Sequence, residues 1–210
     1  MTPFKYWLGP IRLPFLILTP ACILLGLATA RWTAHQINWT FFSLALTGAV
    51  SAHISVNLFN EYCDFKSGLD AKTKKTPFRG GSGTLPQYPE LASSVLIAAW
   101  SSFVLTSIIG IFFIFVTGPS LLPIGLLGLV IILTYTDWIT RHPFLCLLAP
   151  GLGFGPLMVM GTDFVLTGQY SWTAFIASMI PFFLVNNLLL LNQFPDAEAD
   201  QSIGRNLLPF

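Results

Sequence analysis

Charged residues are scarce in this chain of 210 residues: Asp, Glu, Lys and Arg together make up 9%. Ten basic and nine acidic residues leave a formal net charge of +1, so the composition gives no support for nucleic-acid binding. Hydrophobic residues make up 54%, and the mean hydropathy of +0.71 is outside the range of an ordinary soluble domain. The composition predicts an integral membrane protein. Apolar stretches extend from Ile11 to Phe194, so we expect a single transmembrane domain over 1–210.

Cysteine is also sparse. The three cysteines, Cys22, Cys63 and Cys146, lie far apart and show no paired spacing. This pattern argues against a disulfide framework and against a zinc site.

Six apolar stretches are long enough to cross a bilayer, which takes about 20 mainly apolar residues in a helix. None alternates as a barrel strand would, so we predict an all-α fold, a polytopic transmembrane helix bundle. The first stretch has the length of a span rather than of a cleaved signal core. The predicted spans are Ile11–Ala30, Trp39–Asn60, Leu91–Thr117, Leu121–Trp138, Pro143–Thr162 and Trp172–Phe194.

Lysine and arginine alternate between rich and poor connections. They occur at the N-terminus, in the 61–90 loop, in the 139–142 turn and at the C-terminus, whereas the other connections hold only Arg31. By the positive-inside rule, the first set is cytoplasmic. We therefore expect a multi-pass protein of the cell inner membrane, with its N-terminus in the cytoplasm.

Two short segments hold six of the nine acidic residues: NEYCDFKSGLD at 60–70 and PDAEAD at 195–200. Residues three and four apart share a helix face. Each segment therefore forms part of a polar stripe on one face at the end of its helix. The stripes are Asn57, Asn60, Glu61 and Asp64 in the first case, and Asn192, Asp196 and Asp200 in the second.

Carboxylates gathered in this way need a positive partner, because like charges about 4 Å apart repel by about 4 kcal/mol at an effective dielectric of 20. Hard oxygen ligands suit Mg²⁺, which completes its shell with water and substrate phosphates. Two such clusters on one side of the membrane predict Mg²⁺ ions around a diphosphate. Solvated helix ends are the alternative for either cluster alone.

Between the two clusters, residues 70–86 read DAKTKKTPFRGGSGTLP. Glycines let the backbone approach an anion closely, and the basic side chains can bind phosphate oxygens. The candidates are Lys72, Lys74, Lys75 and Arg79. A loop that merely obeys the positive-inside rule is the alternative for any one lysine.

With these motifs the chain resembles the UbiA superfamily of intramembrane aromatic prenyltransferases, and within it the 1,4-dihydroxy-2-naphthoate polyprenyltransferase branch of menaquinone synthesis. NEYCDFKSGLD is similar to the first Asp-rich motif of that family and NQFPDAEAD to the second. The resemblance implies a nine-helix fold, so about six of the nine spans are expected here and the last three would be lacking.

The resemblance also implies the site. Mg²⁺ bound to a polyprenyl diphosphate would be held by Asn60, Asp64, Asp70, Asp196 and Asp200. Asp64 and Asp196 would be catalytic together with a tyrosine after the fourth helix.

The tyrosine candidate is Tyr135, and Arg141 would lie near the diphosphate. In the implied reaction the diphosphate leaves, an allylic carbocation forms and an electron-rich aromatic ring attacks it.

Several alternatives stay open at this point. The acceptor can instead be a geranylgeranylglyceryl phosphate, a homogentisate or a chlorophyllide, and a partner chain can supply further helices. The chain can also be a truncated inactive fragment, or a cation-binding membrane protein or transporter subunit whose carboxylates line an ion path.

Overall fold

The computed structural model describes residues 6–34, 36–69 and 82–201, with side chains described up to Phe194. Within these ranges the chain is helical and contains no strand, which confirms the all-α prediction. Five helices are long and apolar enough to cross a membrane, and α4 is a shorter apolar helix. The helices are α1 (Leu13–Thr33), α2 (Trp39–Ser67), α3 (Pro89–Thr117), α4 (Pro119–Thr134), α5 (Pro143–Thr167) and α6 (Trp172–Gln201).

The helix boundaries differ from the predicted spans mainly at the polar ends. α2 continues past Asn60 because nothing in the next seven residues breaks a helix, and it ends at Gly68, whose φ of 73° is costly for other residues. α4 ends at Thr134 rather than at Trp138, and a short 3-10 turn follows at Ile139–Arg141.

α5 passes through two prolines without ending. Its middle, Gly153–Met160, is π-helical and contains Pro156, while Pro150 lies in the α-helical part before it. A proline removes one backbone donor and crowds the preceding turn, and π-helical pairing is one way to relieve that strain. The prolines therefore reshape this helix without breaking it.

α2 and α6 are both longer than the membrane is thick. They contain 29 and 30 residues, or about 43 and 45 Å at the α-helical rise, against a hydrocarbon core of about 30 Å. Counted from Trp39 and Trp172, about 20 residues bring each helix across to Phe59 and Asn192. Both acidic segments thus begin at a similar depth, where their helices leave the hydrocarbon.

The opposite end of the bundle carries exposed tryptophans. Trp32 lies in the last turn of α1, Trp39 begins α2 and Trp172 begins α6, and their side chains are largely exposed. Tryptophan is enriched at membrane–water interfaces, so these three residues indicate where the second interface lies.

α2 and α3 pack closely along their lengths. Ser55 donates from its Oγ to the carbonyl of Ala99 at 3.0 Å, and Thr106 donates to the carbonyl of Gly48 at 3.1 Å. Small and hydroxylated residues at such contacts let helix backbones approach each other in lipid.

α5 packs between α1 and α6 through glycines. A Cβ at Gly26 would lie 2.7 Å from the Val159 carbonyl oxygen, and one at Gly155 would lie 2.5 Å from the Ser178 carbonyl oxygen. The backbone N–H of Gly151 donates to Asn186 Oδ1 at 3.0 Å. Gly26 of α1 and Gly151 and Gly155 of α5 therefore allow tight helix packing.

Candidate functional site

A cavity of about 1060 Å³ lies inside the bundle and is bordered by all six helices. This volume is at the upper end of the range of about 300–1,000 Å³ that is usual for ligand pockets. Its two ends differ in character. Arg12, Asn60 and Asp64 line one end, while Phe113 and Val165 are among the apolar residues that line the other.

One face of α2 forms a wall of this cavity. The lining residues recur three and four apart and change along the helix from small to polar; they are Ala45, Gly48, Ala49, Ala52, His53, Val56, Asn57, Asn60 and Asp64. Ala45 and Asp64 are about 28 Å apart along the helix axis. The cavity therefore extends through most of the thickness of a bilayer and carries polar groups at one end.

The polar end is organised around Asn60 and Asp64. Asn60 donates from Nδ2 to Asp64 Oδ2 at 3.0 Å, and its Oδ1 accepts from Thr136 Oγ1 at 3.3 Å. Asp64 is only 5% exposed. The predicted pair thus lies on one helix face, as the four-residue spacing indicates, and the turn after α4 fixes the asparagine.

Glu61 has a different partner from its neighbours in the motif. It is 0% exposed and does not line the cavity. Oε2 accepts from the backbone N–H of Ser82 at 3.1 Å, and Oε1 accepts from Ser82 Oγ. Since charge-assisted hydrogen bonds are the strong ones, Glu61 holds the end of the glycine-rich segment against α2.

Arg12 lines the polar end of the cavity, where the sequence had suggested only a topology signal. Its backbone is left-handed, with φ 56° and ψ 51°, a conformation that costs a residue other than glycine about 1–2 kcal/mol. Asn57 holds this turn by donating from Nδ2 to the carbonyl of Ile11 at 2.9 Å. Strain of this kind is typical of functional sites.

The two residues predicted after the fourth helix are placed differently. Tyr135 follows α4 directly and lines the cavity. Arg141 is exposed, at the end of the 3-10 turn, and is not among the residues that line the cavity. The position of Tyr135 is therefore compatible with the predicted role of that residue. The role of Arg141 stays a prediction.

The other predicted site residues are described in part or not at all. Asp196 and Asp200 lie one turn apart on α6, but their side chains are outside the described set. The remaining predictions, Asp70, Lys72, Lys75 and Arg79, fall outside the described residues. Lys74 falls outside them as well, and these seven assignments remain predictions.

The described oxygen ligands suit a Mg²⁺ ion that is bound together with a phosphate group. No three His, Cys, Asp or Glu side chains come together among the described residues to hold a metal by themselves. Asn60 and Asp64 offer hard oxygen atoms at the polar end of the cavity. Because Mg²⁺ takes one or two protein carboxylates and shares its shell with phosphates, this pair suits an ion that arrives with a diphosphate.

Sequence reasoning missed several polar residues of the cavity. His53 lines it, and its Nδ1 lies 2.7 Å from Thr19 Oγ1 on α1. Gln193 on α6 lines it as well. The only available signal was their position in apolar runs, where polar side chains are rare and face the bundle interior.

The profile of the UbiA prenyltransferase family matches residues 17–210 of the chain. The 1,4-dihydroxy-2-naphthoate octaprenyltransferase of Bacillus subtilis is 28% identical over 189 residues, which is 89% of this chain and 59% of that protein. The proteins of the same name from Mycobacterium tuberculosis and Haemophilus influenzae are 27% and 26% identical, over 95% and 97% of this chain and 67% and 68% of their own lengths. The chain thus spans only part of these relatives, and no solved structure matches it.

Proposed function

The chain belongs to the UbiA prenyltransferase family, and from this premise we propose that it transfers a prenyl group from a polyprenyl diphosphate to an aromatic acceptor. The observation that carries the proposal is the polarity of the cavity, which has Arg12, Asn60 and Asp64 at one end and mainly apolar side chains along the rest of its length. A polyprenyl diphosphate has the same division, with a charged head and a long hydrocarbon tail.

The proposed diphosphate site is at the polar end. Asn60 and Asp64 would hold Mg²⁺ there, with Asp70, Asp196 and Asp200 completing the set. When bound, Mg²⁺ neutralises charge on the diphosphate and favours its departure. The guanidinium of Arg12 donates to diphosphate oxygens, and the basic residues Lys72, Lys75 and Arg79 add to this charge in the proposal.

The described side chains also prepare the site for charge that develops during the reaction. The bonds that Asn60 makes with Thr136 and Asp64 fix the amide before a ligand arrives, so little reorganisation is needed as the diphosphate leaves.

Further inside, the apolar wall keeps water from the allylic cation. The carbon–oxygen bond of the prenyl diphosphate breaks with its electron pair on the diphosphate. An aromatic carbon then bonds to the prenyl carbon, and the ring passes its displaced proton to an oxygen of the released diphosphate.

The acceptor is proposed from the relatives. All the curated relatives named above are 1,4-dihydroxy-2-naphthoate octaprenyltransferases, and we propose a dihydroxynaphthoate for this chain too. The positive-inside distribution supports an inner-membrane location with the polar end of the cavity in the cytoplasm.

An ion-transport role is supported less well. Asp64, the carboxylate that lines the cavity, lies where α2 leaves the hydrocarbon, whereas transport sites are usually near the bilayer midplane.

The test is prenyl transfer by membranes that contain this chain, supplied with a radiolabelled polyprenyl diphosphate, dihydroxynaphthoate and Mg²⁺. Asp64→Asn should lower the rate by about 10²–10³-fold, the scale of losing one preorganised group at a developing charge. The matched control is Asp137→Asn, since Asp137 is exposed and does not line the cavity. Equal rates in the two variants at equal levels of folded protein would contradict the assignment of Asp64.

A further inference from the structure

One amide in the cavity has a hydrogen-bonding atom without a partner among the described residues. Gln193 is 4% exposed and lines the cavity. Its Nε2 donates to Cys146 Sγ at 3.5 Å, and its Oε1 has no hydrogen-bond partner within the described part of the chain. A buried acceptor left in this state is unfavourable, so a donor that enters the cavity at this point gains binding energy.

The wall around this amide is apolar. Cys146 packs in a cluster with Ile139 and Ala149, and Ile131 and Tyr135 pack against that cluster. Of these residues all but Ile139 also line the cavity. The side chain of Gln193 therefore offers a polar atom beside a mainly hydrophobic surface, a combination that suits a flat hydrophobic ring carrying a polar group.

The free atom is an oxygen, and this restricts what it can bind. Cys146 Sγ accepts from one N–H of the amide nitrogen, and the atom that has no partner among the described residues, Oε1, is an acceptor. Diphosphate and carboxylate oxygens are acceptors too and would be repelled, and a hydrocarbon tail has no donor. A ring hydroxyl is the donor that the proposed reaction brings into this cavity.

We infer that Gln193 binds the aromatic acceptor by taking a hydrogen bond from a ring hydroxyl at Oε1, with the ring against the wall formed by Tyr135, Ile131 and Ala149. The inference rests on the proposed function and deepens it. It assigns the acceptor to the part of the cavity between α4, α5 and α6, beside the diphosphate end, because Thr136 next to Tyr135 bonds to Asn60.

The test compares two probes on purified protein in detergent: 1-naphthol and 1-methoxynaphthalene, which lacks the donor. Their Kd values are measured by quenching of tryptophan fluorescence for wild type, Gln193→Met and the control Gln169→Met. Gln169 is exposed near the start of α6, outside the cavity. Partition of a probe into micelles affects all three proteins equally, so it cancels when one probe is compared between proteins.

The preference is the Kd of the methyl ether divided by the Kd of naphthol. It should be about 2- to 12-fold larger for wild type and Gln169→Met than for Gln193→Met, the factor that one neutral hydrogen bond contributes. The affinity for a polyprenyl diphosphate should not change. Gln193→Asn keeps an amide but withdraws the oxygen by one methylene, so it should lose the preference in the same way and serves if the methionine variant does not fold.

The same preference in Gln193→Met as in wild type would overturn the inference and leave the proposed function standing. So would an equal loss of diphosphate affinity, because Gln193 would then serve the other substrate. No preference in wild type also overturns it. A Gln193-dependent preference in a protein that shows no prenyl transfer would support the binding site and contradict the proposed function, so the two failures are distinguishable.

Discussion

Gly155 and Gly153 lie two residues apart, and we expect opposite changes in stability when each is replaced by alanine. Both lie in the π-helical segment of α5. A Cβ at Gly155 would lie 2.5 Å from the Ser178 carbonyl oxygen and 2.9 Å from Phe182 Cβ, whereas a Cβ at Gly153 meets no atom of the described residues within 4 Å. Gly155→Ala therefore forces α5 and α6 apart by roughly 1 Å if a normal contact of about 3.5 Å is to be restored.

The magnitudes follow from packing and helix preference. Overpacking of this kind costs about 1–3 kcal/mol, while alanine in an open helical position gains about 0.5–1 kcal/mol over glycine. At about 2–4 °C per kcal/mol for a chain of this size, Gly155→Ala should lower the Tm by about 2–12 °C. Gly153→Ala should leave the Tm unchanged or raise it.

The assay is thermal unfolding of the purified variants in one detergent, followed by tryptophan fluorescence. Size-exclusion chromatography before heating shows that each variant is folded at the start. Equal Tm values, or a Gly155→Ala protein more stable than Gly153→Ala, would refute the close approach of α5 and α6, and with it the placement of the second acidic segment.

Two further predictions concern residues that the structure adds to the site. Arg12→Gln should weaken binding of a polyprenyl diphosphate by about 10- to 150-fold, because hydrogen bonds to charged groups contribute about 1.5–3 kcal/mol; radioligand binding measures it. Ser82→Ala removes the hydroxyl that donates to Glu61, so the free energy of unfolding should fall by about 1.5–3 kcal/mol, seen as a lower denaturation midpoint.

Each of these substitutions has a matched control. Arg31→Gln removes the same charge at the opposite end of the bundle, where Arg31 lies in the last turn of α1. Ser101→Ala removes an exposed hydroxyl that bonds only within its own helix, to the Ile97 carbonyl. A control that changes binding or stability as much as its test variant would contradict the role given to Arg12 or to Ser82.

The membrane helices could be predicted because a span imposes a length and a composition that show directly in the sequence. The pairing of Asn60 with Asp64 could be predicted as well, since residues four apart share a helix face. The extension of α2 past Asn60 could not be predicted. Charged residues outside the hydrocarbon are compatible both with a continued helix and with a loop.

Which side chains of a helix face the cavity could not be predicted from the sequence. Glu61 directly follows Asn60, yet it bonds to Ser82 rather than lining the cavity. That outcome depends on where the chain returns to α2 at Ser82. Likewise, nothing in the pattern separates Gln193 from neighbouring polar residues. Only the structure shows that its Nε2 donates to Cys146 on α5 and that its Oε1 has no partner among the described residues.

The proposal that the cavity binds a polyprenyl diphosphate is tested most directly by photolabelling. The probe is a polyprenyl diphosphate whose tail ends in a photoreactive group, and the labelled residues are located by mass spectrometry. If the head binds near Asp64 and the tail fills the cavity, labels should fall on Ile109 and Phe113, which line its apolar part. Excess unlabelled polyprenyl diphosphate should remove them. Labels confined to Ile108 and Phe115, which face outward from the same helix at 57% and 85% exposure, would contradict the account.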